Sequence, residues 1–266
     1  MTADKALKEK DLQETFEWSR SKFHTEYNMY LAYYKVIDAL GHAKGDSLLD
    51  LACGDGTLTA TMEKHFKRVV GVDASGKHLA EAKKRLPHVT FIESLIEELD
   101  TDEKFSTVTM MDVLEHVEDP VFTLKKAASF LTDDGVMIVH VPNAEAVNRK
   151  IAVLMGTLAH CEELSPFDIN VAGHRRSYVL DTLTADVKLA GLEVVTAGGI
   201  FYKMMSTPQI DWFLKNGEWT SGHGWGRTGQ ETAKDWKAEF CRACYEYGKQ
   251  NPRDCNIIYT VGRRAR

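Results

Sequence analysis

Residues 48–59, LLDLACGDGTLT, limit what this chain can fold into more than any other stretch. Leu48, Leu49, Leu51 and Ala52 form an apolar run of strand length that enters a Gly-x-Gly turn, and a helix-compatible stretch begins at Thr57. Strand, tight loop and helix N-terminus in that order open a βαβ unit and predict a parallel sheet. Gly54 and Gly56 lack a Cβ, which lets the backbone approach a ligand closely.

A second buried strand, RVVGVDAS at residues 68–75, ends in an acid, Asp73. An acid at the tip of the second strand is placed to accept both hydroxyls of a ribose. The dinucleotide fingerprint G-x-G-x-x-G is not met, because Thr59 stands where the third glycine belongs. That glycine serves sites in which a pyrophosphate sits on the helix N-terminus. The loop therefore favours an adenosine without a diphosphate, of which S-adenosylmethionine is the commonest, over a nicotinamide dinucleotide.

Three further motifs follow in order: MDVLEHVEDP at 111–120, VPNA at 141–144 and GHRRSY at 173–178. With LDLACGDG and GVDAS, they make the chain resemble a class I S-adenosylmethionine-dependent methyltransferase over roughly residues 30–205. The resemblance implies a Rossmann-like seven-stranded, mostly parallel sheet with helices on both faces, closed by an antiparallel strand near residues 256–262. It also implies S-adenosyl-L-methionine as cofactor and S-adenosyl-L-homocysteine as product. The cofactor residues it points to are Asp50, Ala52, Gly54, Gly56, Asp73, Ala74, Ser94, Leu95, Ile96 and Asp112. Among these, Asp73 would bond the ribose, the glycine loop would meet the methionine part, and Asp112 would lie near its amino group. Leu95 stands where many family members carry an acid for the adenine amino group, so adenine contacts here are expected from backbone and apolar atoms.

At 266 residues and 44% apolar content, the chain can bury a full core. The expected division is an N-terminal helical lid at 1–45 and a methyltransferase domain at 46–266, with an acceptor-covering excursion at 144–178 and an appended C-terminal insertion at 203–251. A net charge of −6 disfavours a dedicated nucleic-acid binder. No apolar run reaches the length of a membrane span and MTADKALKEKD has no apolar h-region, so a cytoplasmic protein is expected. Cys53, Cys161, Cys241, Cys244 and Cys255 are read as reduced thiols. The C-x-x-C at 241–244 lies on a helical stretch with no second pair, and reads as two small residues facing the core.

Residues 4–41 read as two helices, the second placing Tyr27, Tyr30 and Tyr34 at helical spacing. That stripe packs on the sheet, forms a lid touching ligand through Tyr27 or Tyr30, or does both. Helices are predicted at 77–85, 121–131, 180–191 and about 231–249, with a short one near 210–214; strands are predicted at 89–93, 105–111, 135–141 and 192–201. The loop GEWTSGHGWGRTGQ at 217–230 is either a substrate flap or a surface linker.

The acceptor chemistry has two readings. His116 and His174 are candidate bases for an acceptor hydroxyl or ammonium, with loop-ordering hydrogen bonds as the alternative for His116. His140, within a strand, reads as a satisfied core residue. Arg149, Arg175, Arg176 and Lys203, with Tyr178, lie in segments expected around the acceptor and would suit an anionic one. Alternatively, some of these cations pair with Asp168, Glu162 or Glu163. No metal is implied, since no histidine pair at ligand spacing accompanies carboxylates and Asp133-Asp134 sits in a turn. The expected acceptor is a small molecule or saccharide, more readily at oxygen than at nitrogen, with a non-catalytic cofactor-binding regulatory subunit as the reading from another class.

Overall fold

The computed structural model describes residues 25–217 and 236–265. The first N-terminal helix expected within 4–41 and nearly all of the 217–230 loop lie outside the described residues. Seven strands form one sheet: β1 (Ser47–Leu51), β2 (Arg68–Asp73), β3 (Thr90–Glu93), β4 (Phe105–Met111), β5 (Leu131–Pro142), β6 (Leu192–Tyr202) and β7 (Cys255–Arg264). Their order is β3-β2-β1-β4-β5-β7-β6. Neighbours from β3 through β5 pair in parallel, while β7 runs antiparallel to both β5 and β6. The chain moves outward from β1 to β3, then returns to the other side of β1 through β4. The reversal between β1 and β4 opens a crevice beyond the C-terminal strand ends, where doubly wound sheets bind ligands.

Alternation along the strands fills two faces. Leu49, Leu51, Met137 and Val139 point into one apolar cluster, which Leu124 of α4 (Pro120–Ser129) and Leu183 and Val187 of α7 (Leu180–Leu189) complete. Leu48, Val136 and Ile138 point the other way. They meet Val36 and Ala39 of α1 (Glu26–His42) and Met62 of α2 (Thr57–Met62). Because successive residues of a strand face opposite sides, one apolar run supplies both cores. Helix α3 (Gly76–Arg85) begins at Ser75, whose hydroxyl accepts from the His78 N–H, and Ala82 on it packs beside Phe91.

The upstream helix α1 is built into the body of the fold. Tyr27 and Tyr34 share an apolar cluster with Phe201 of β6, Ile210 of α8 (Thr207–Asn216), and Cys241 and Tyr245 of α9 (Trp236–Gln250). All five cysteines are free thiols. Two short helices, α5 (Val147–Leu154) and α6 (Pro166–Asn170), occupy the excursion after β5.

The fold corrects two details of the sequence reading. Asp133 and Asp134 do not sit in a turn, since β5 already begins at Leu131 opposite Phe105 and carries an irregularity before Val136. His140 is fully buried yet unsatisfied: neither ring nitrogen makes a hydrogen bond among the described residues, and Nε2 stands 3.6 Å from Asp38 Oδ2. Burial holds its pKa below the ordinary histidine value.

Candidate active site

A cleft of about 970 Å³ lies across the C-terminal ends of β1, β2 and β4. One wall is the loop after β1. Ala52 (φ 59°) and Gly54 (φ 55°) both take the left-handed conformation, which turns the chain sharply out of the strand. A Cβ built on Gly54 would meet no atom within 4 Å, so the backbone there lies open to the cleft. Gly56 (φ 73°) has another role. A Cβ on it would stand 3.1 Å from the Ala82 Cβ, so this glycine lets the loop pack on α3 and does not line the cleft. The expectation that both glycines face a ligand is corrected for Gly56. Arg85, at the end of α3, steadies the same loop by donating to Thr57 Oγ1 (2.9 Å) and Asp55 Oδ2 (3.1 Å).

Asp50 also lies below the cleft and not on it. Its carboxylate is buried and accepts from Thr59 Oγ1 (2.6 Å) and Thr109 Oγ1 (2.8 Å). Burial pushes its pKa up to about 6, against the opposing effect of the two hydroxyls. Thr59, the residue that breaks the dinucleotide fingerprint, thus supplies one of the two hydroxyls that pair this buried acid, tying the loop's helix to β1.

At the tip of β2, Asp73 Oδ2 accepts from the Gly54 N–H (2.8 Å) and Oδ1 accepts from the Ser75 N–H (2.9 Å). The acid therefore fixes the glycine loop while presenting its carboxylate to the cleft beside Ala74. Ser94, Leu95 and Ile96 line the next stretch, with the Ser94 hydroxyl turned onto Leu95 O (2.8 Å). The acid of this segment is Glu97, which also borders the cleft and accepts from Thr123. Val117, Pro120 and Phe122 form the opposite, apolar side.

Asp112 follows β4 with φ 57°, an unusual conformation for a residue other than glycine, and it borders the cleft. Its Oδ2 is paired with Lys35 of α1, a buried lysine absent from the sequence-derived candidates, while Oδ1 is buried without a hydrogen-bond partner among the described residues. An open glycine cradle, a ribose-type acid and a buried acceptor atom without a donor fit an adenosine bearing a cationic amino-acid tail. Asp112 and the loop at 52–54 would hold the tail, Asp73 the ribose, and residues 94–96 the base.

Beyond Asp112 the turn at 113–118 is fastened to the GHRRSY segment. The Arg176 guanidinium donates to the carbonyls of Leu114 (2.7 Å), Val117 and Glu118 (2.9 Å), and the Arg175 N–H donates to Glu115 O (2.8 Å). These contacts bring His116 and His174 together, with ring centroids 5.0 Å apart at 73°. His116 borders the cleft, and its Nδ1 stands 3.3 Å from Gly173 O. Burial and the neighbouring His174 pull the His116 pKa down to about 4; burial also lowers that of His174, whose Nδ1 lies 3.8 Å from Asp168 Oδ1. Beneath them Glu115 is buried, and burial raises its pKa well above the usual carboxylate range. One ligand-type atom from each of Glu115, His116 and His174 lies within 4.8 Å of the others. No spacing along the chain announces this grouping. The sequence reading looks for a histidine pair at ligand spacing along the chain and so does not reach this grouping, which arises from the tertiary fold.

The cations expected around an anionic acceptor do not converge. Arg149 donates to Cys161 O (2.9 Å), Asp168 Oδ2 (3.2 Å) and Glu163 O, bracing the excursion as the pairing alternative had it. Lys203 is buried away from the cleft, bonded to Thr207 Oγ1 (3.0 Å) and 4.8 Å from the Tyr27 ring centre, and burial pulls its pKa down to about 8. Tyr27 is itself fully buried, and Tyr178 is buried with its hydroxyl on Asp186 Oδ2 (2.9 Å). Tyr30 borders a separate groove of about 460 Å³ with Tyr33 and Arg242. Of these candidates Arg175 alone is exposed.

Residues 25–197 match the family model of the methyltransferase domain, and the chain belongs to that family, the class I S-adenosylmethionine-dependent methyltransferases. A ubiquinone biosynthesis O-methyltransferase from Bradyrhizobium diazoefficiens is 32% identical over 124 residues, which are 45% of this chain and 48% of that protein. The chain thus spans about half the length of the curated relatives it matches. A crystal structure of an S-adenosylmethionine-dependent methyltransferase from Mesorhizobium loti superposes with a TM-score of 0.57 at 15% identity, covering 88% of this chain and 98% of that one. The N-methyltransferase NodS from Bradyrhizobium japonicum, in complex with S-adenosyl-L-homocysteine, has the same fold at a TM-score of 0.52 and 12% identity, covering 91% and 89%. Among the described residues, no helix is long and apolar enough to cross a membrane.

Proposed function

We propose that this chain transfers the methyl group of S-adenosylmethionine to a hydroxyl of a small-molecule or saccharide acceptor. One observation carries the reading: a single cleft joins the Gly54 cradle and Asp73 at one end to His116 at the other. When bound, the cofactor supplies a sulfonium-activated methyl group open to in-line displacement. The chain's task is then to align an acceptor oxygen with that methyl group and keep water out, an effect worth up to about 7–11 kcal/mol in the best oriented cases.

Asp73 holds the ribose and the rigid loop beside it at once. Asp112, oriented by Lys35, receives the amino group of the tail. Leu95, Ile96 and Phe122 offer the base an apolar slot. At the far end, the Glu115–His116–His174 group is the part of the chain that can relieve an acceptor hydroxyl of its proton. The similarity to ubiquinone biosynthesis O-methyltransferases supports oxygen as the acceptor atom. An arginine-held anionic acceptor has less support, because Arg149, Arg176 and Lys203 are engaged within the fold.

Two measurements test the reading. Calorimetric titration of S-adenosylhomocysteine should show binding, weakened at least about tenfold, or about 1.4 kcal/mol, by Asp73→Ala. A panel of phenols, alcohols, saccharides and amines, followed by S-adenosylhomocysteine release, should respond with hydroxyl acceptors. Turnover confined to amines would replace the proposal with an N-methyltransferase. Cofactor binding without any turnover would favour the regulatory subunit.

A further inference from the structure

The Glu115 carboxylate has no hydrogen-bond partner among the described residues to explain its burial. The residue is 2% exposed, it follows β4 at the level of the cleft, and neither carboxylate oxygen accepts a hydrogen bond from the described residues. Protonation does not remove the difficulty, since a buried carboxylic acid still needs a partner for its O–H and for its carbonyl oxygen. What faces Glu115 is His116, with Nε2 3.8 Å from Oε1. The Gly173 carbonyl near Nδ1 can only accept, so it fixes the proton of a neutral His116 on Nδ1. Nε2 then presents a lone pair towards a carboxylate oxygen. With His174 completing the group, three ligand-type atoms from three side chains lie within 4.8 Å of one another, the arrangement that a cation stabilises.

We propose that Glu115, His116 and His174 form a binding site for a divalent first-row transition-metal cation at the acceptor end of the cleft. Two imidazoles and one carboxylate suit zinc, iron or manganese more than magnesium or calcium, which prefer sites made wholly of oxygen. The surroundings are those of a built metal site. Ligating histidines ordinarily have their second nitrogen held by a carbonyl or carboxylate. Here Gly173 O stands at Nδ1 of His116, and Asp168, itself held by Arg149 and Ser165, stands 3.8 Å from Nδ1 of His174. Arg176 locks the turn bearing Glu115 and His116 against the segment bearing His174. Because three side chains leave coordination positions open and His116 borders the cleft, an acceptor hydroxyl can complete the shell.

The catalytic consequence rests on the methyl-transfer reading; the binding site itself does not. Ligation by a divalent cation lowers the pKa of a hydroxyl, so its proton passes to solvent near neutral pH. The oxygen lone pair then forms the bond to the methyl carbon while the carbon–sulfur bond breaks. The breaking pair stays on sulfur, leaving a neutral thioether, and one proton has been released per turnover. The histidines act in this scheme as ligands and not as bases.

The experiment uses the untagged full chain, dialysed against a chelator. Calorimetric titration with zinc chloride should show one saturable site, and cobalt(II) chloride should give visible absorption bands of nitrogen-ligated cobalt. Glu115→Gln and His174→Ala should each weaken zinc binding by about 10–100-fold or more, with S-adenosylhomocysteine binding retained as the sign of an intact cleft. Asp73→Ala should do the reverse, losing S-adenosylhomocysteine and keeping zinc. No saturable zinc binding by the native chain, no cobalt bands, or equal zinc affinity in the folded variants would overturn the site. The native cobalt spectrum decides the matter even where a variant fails to fold. If the chelated chain turned over at the full rate, the catalytic consequence would fall while the methyltransferase reading stood.

Discussion

Lys35 and Asp112 form an ion pair that fastens the helix preceding the sheet to the rim of the cofactor cleft. Lys35 is buried on α1, whereas the side chain of Asp112 stays 40% exposed at the end of β4. A buried ammonium needs its counter-charge, and the left-handed backbone of Asp112 needs an anchor. One contact meets both needs and couples α1 to the site.

Lys35→Met should therefore act on stability and ligand together. Loss of the charge-assisted contact is expected to cost about 1–3 kcal/mol in urea unfolding. Calorimetry should find weaker binding of S-adenosylhomocysteine, because Asp112 loses its orientation. A variant with native unfolding midpoint and native affinity would show that α1 is not coupled to the cleft.

The two loop glycines should separate in experiment. Alanine at Gly54 meets no protein atom, so the chain should fold with the modest penalty of a left-handed alanine, about 1 kcal/mol, and bind S-adenosylhomocysteine poorly. Alanine at Gly56 presses on Ala82 at 3.1 and 3.3 Å as well as adopting a left-handed conformation. Its main effect should be a lower melting temperature. Equal effects of the two substitutions on affinity and melting would contradict the division of roles.

Asp50 gives a pH signature. Its folded pKa of about 6 lies above its ordinary 3.8. Between those values the folded chain binds more protons than the unfolded one, so this group's contribution to stability is complete below pH 3.8 and is lost as pH rises through about 6. Asp50→Asn lacks this loss. Its unfolding free energy, measured against that of the native chain, should rise across the window and level off above it; a constant difference from pH 4 to 8 would disprove the assignment.

Lys203 should show a stability gain at alkaline pH. Its folded pKa, pulled down to about 8 from 10.5 by burial, means that the unfolded chain holds the extra proton between those values. The destabilising charge is therefore present below about pH 8, and stability rises from there towards 10.5. Asp211 opposes the shift, and removal of Lys203 should abolish the rise. Chemical denaturation of Lys203→Met from pH 7 to 10.5 measures it: a slope equal to that of the native chain rejects the reading.

Local order along the chain was enough to determine the sheet, the glycine loop and the acid at the tip of β2. Apolar runs, punctuating glycines and strand–helix alternation are short-range signals, and Gly54, Asp73 and residues 94–96 inherit their positions from them. What tertiary structure alone decided is which polar side chains meet. Thr59 satisfies Asp50, Lys35 finds Asp112, and His174 returns from the excursion to stand beside His116 over buried Glu115. The same folding consumed Arg149 and Arg176 as braces. A buried charge or hydrogen-bonding group is paired with whatever the packed chain brings within about 3 Å, a distance that sequence separation does not encode.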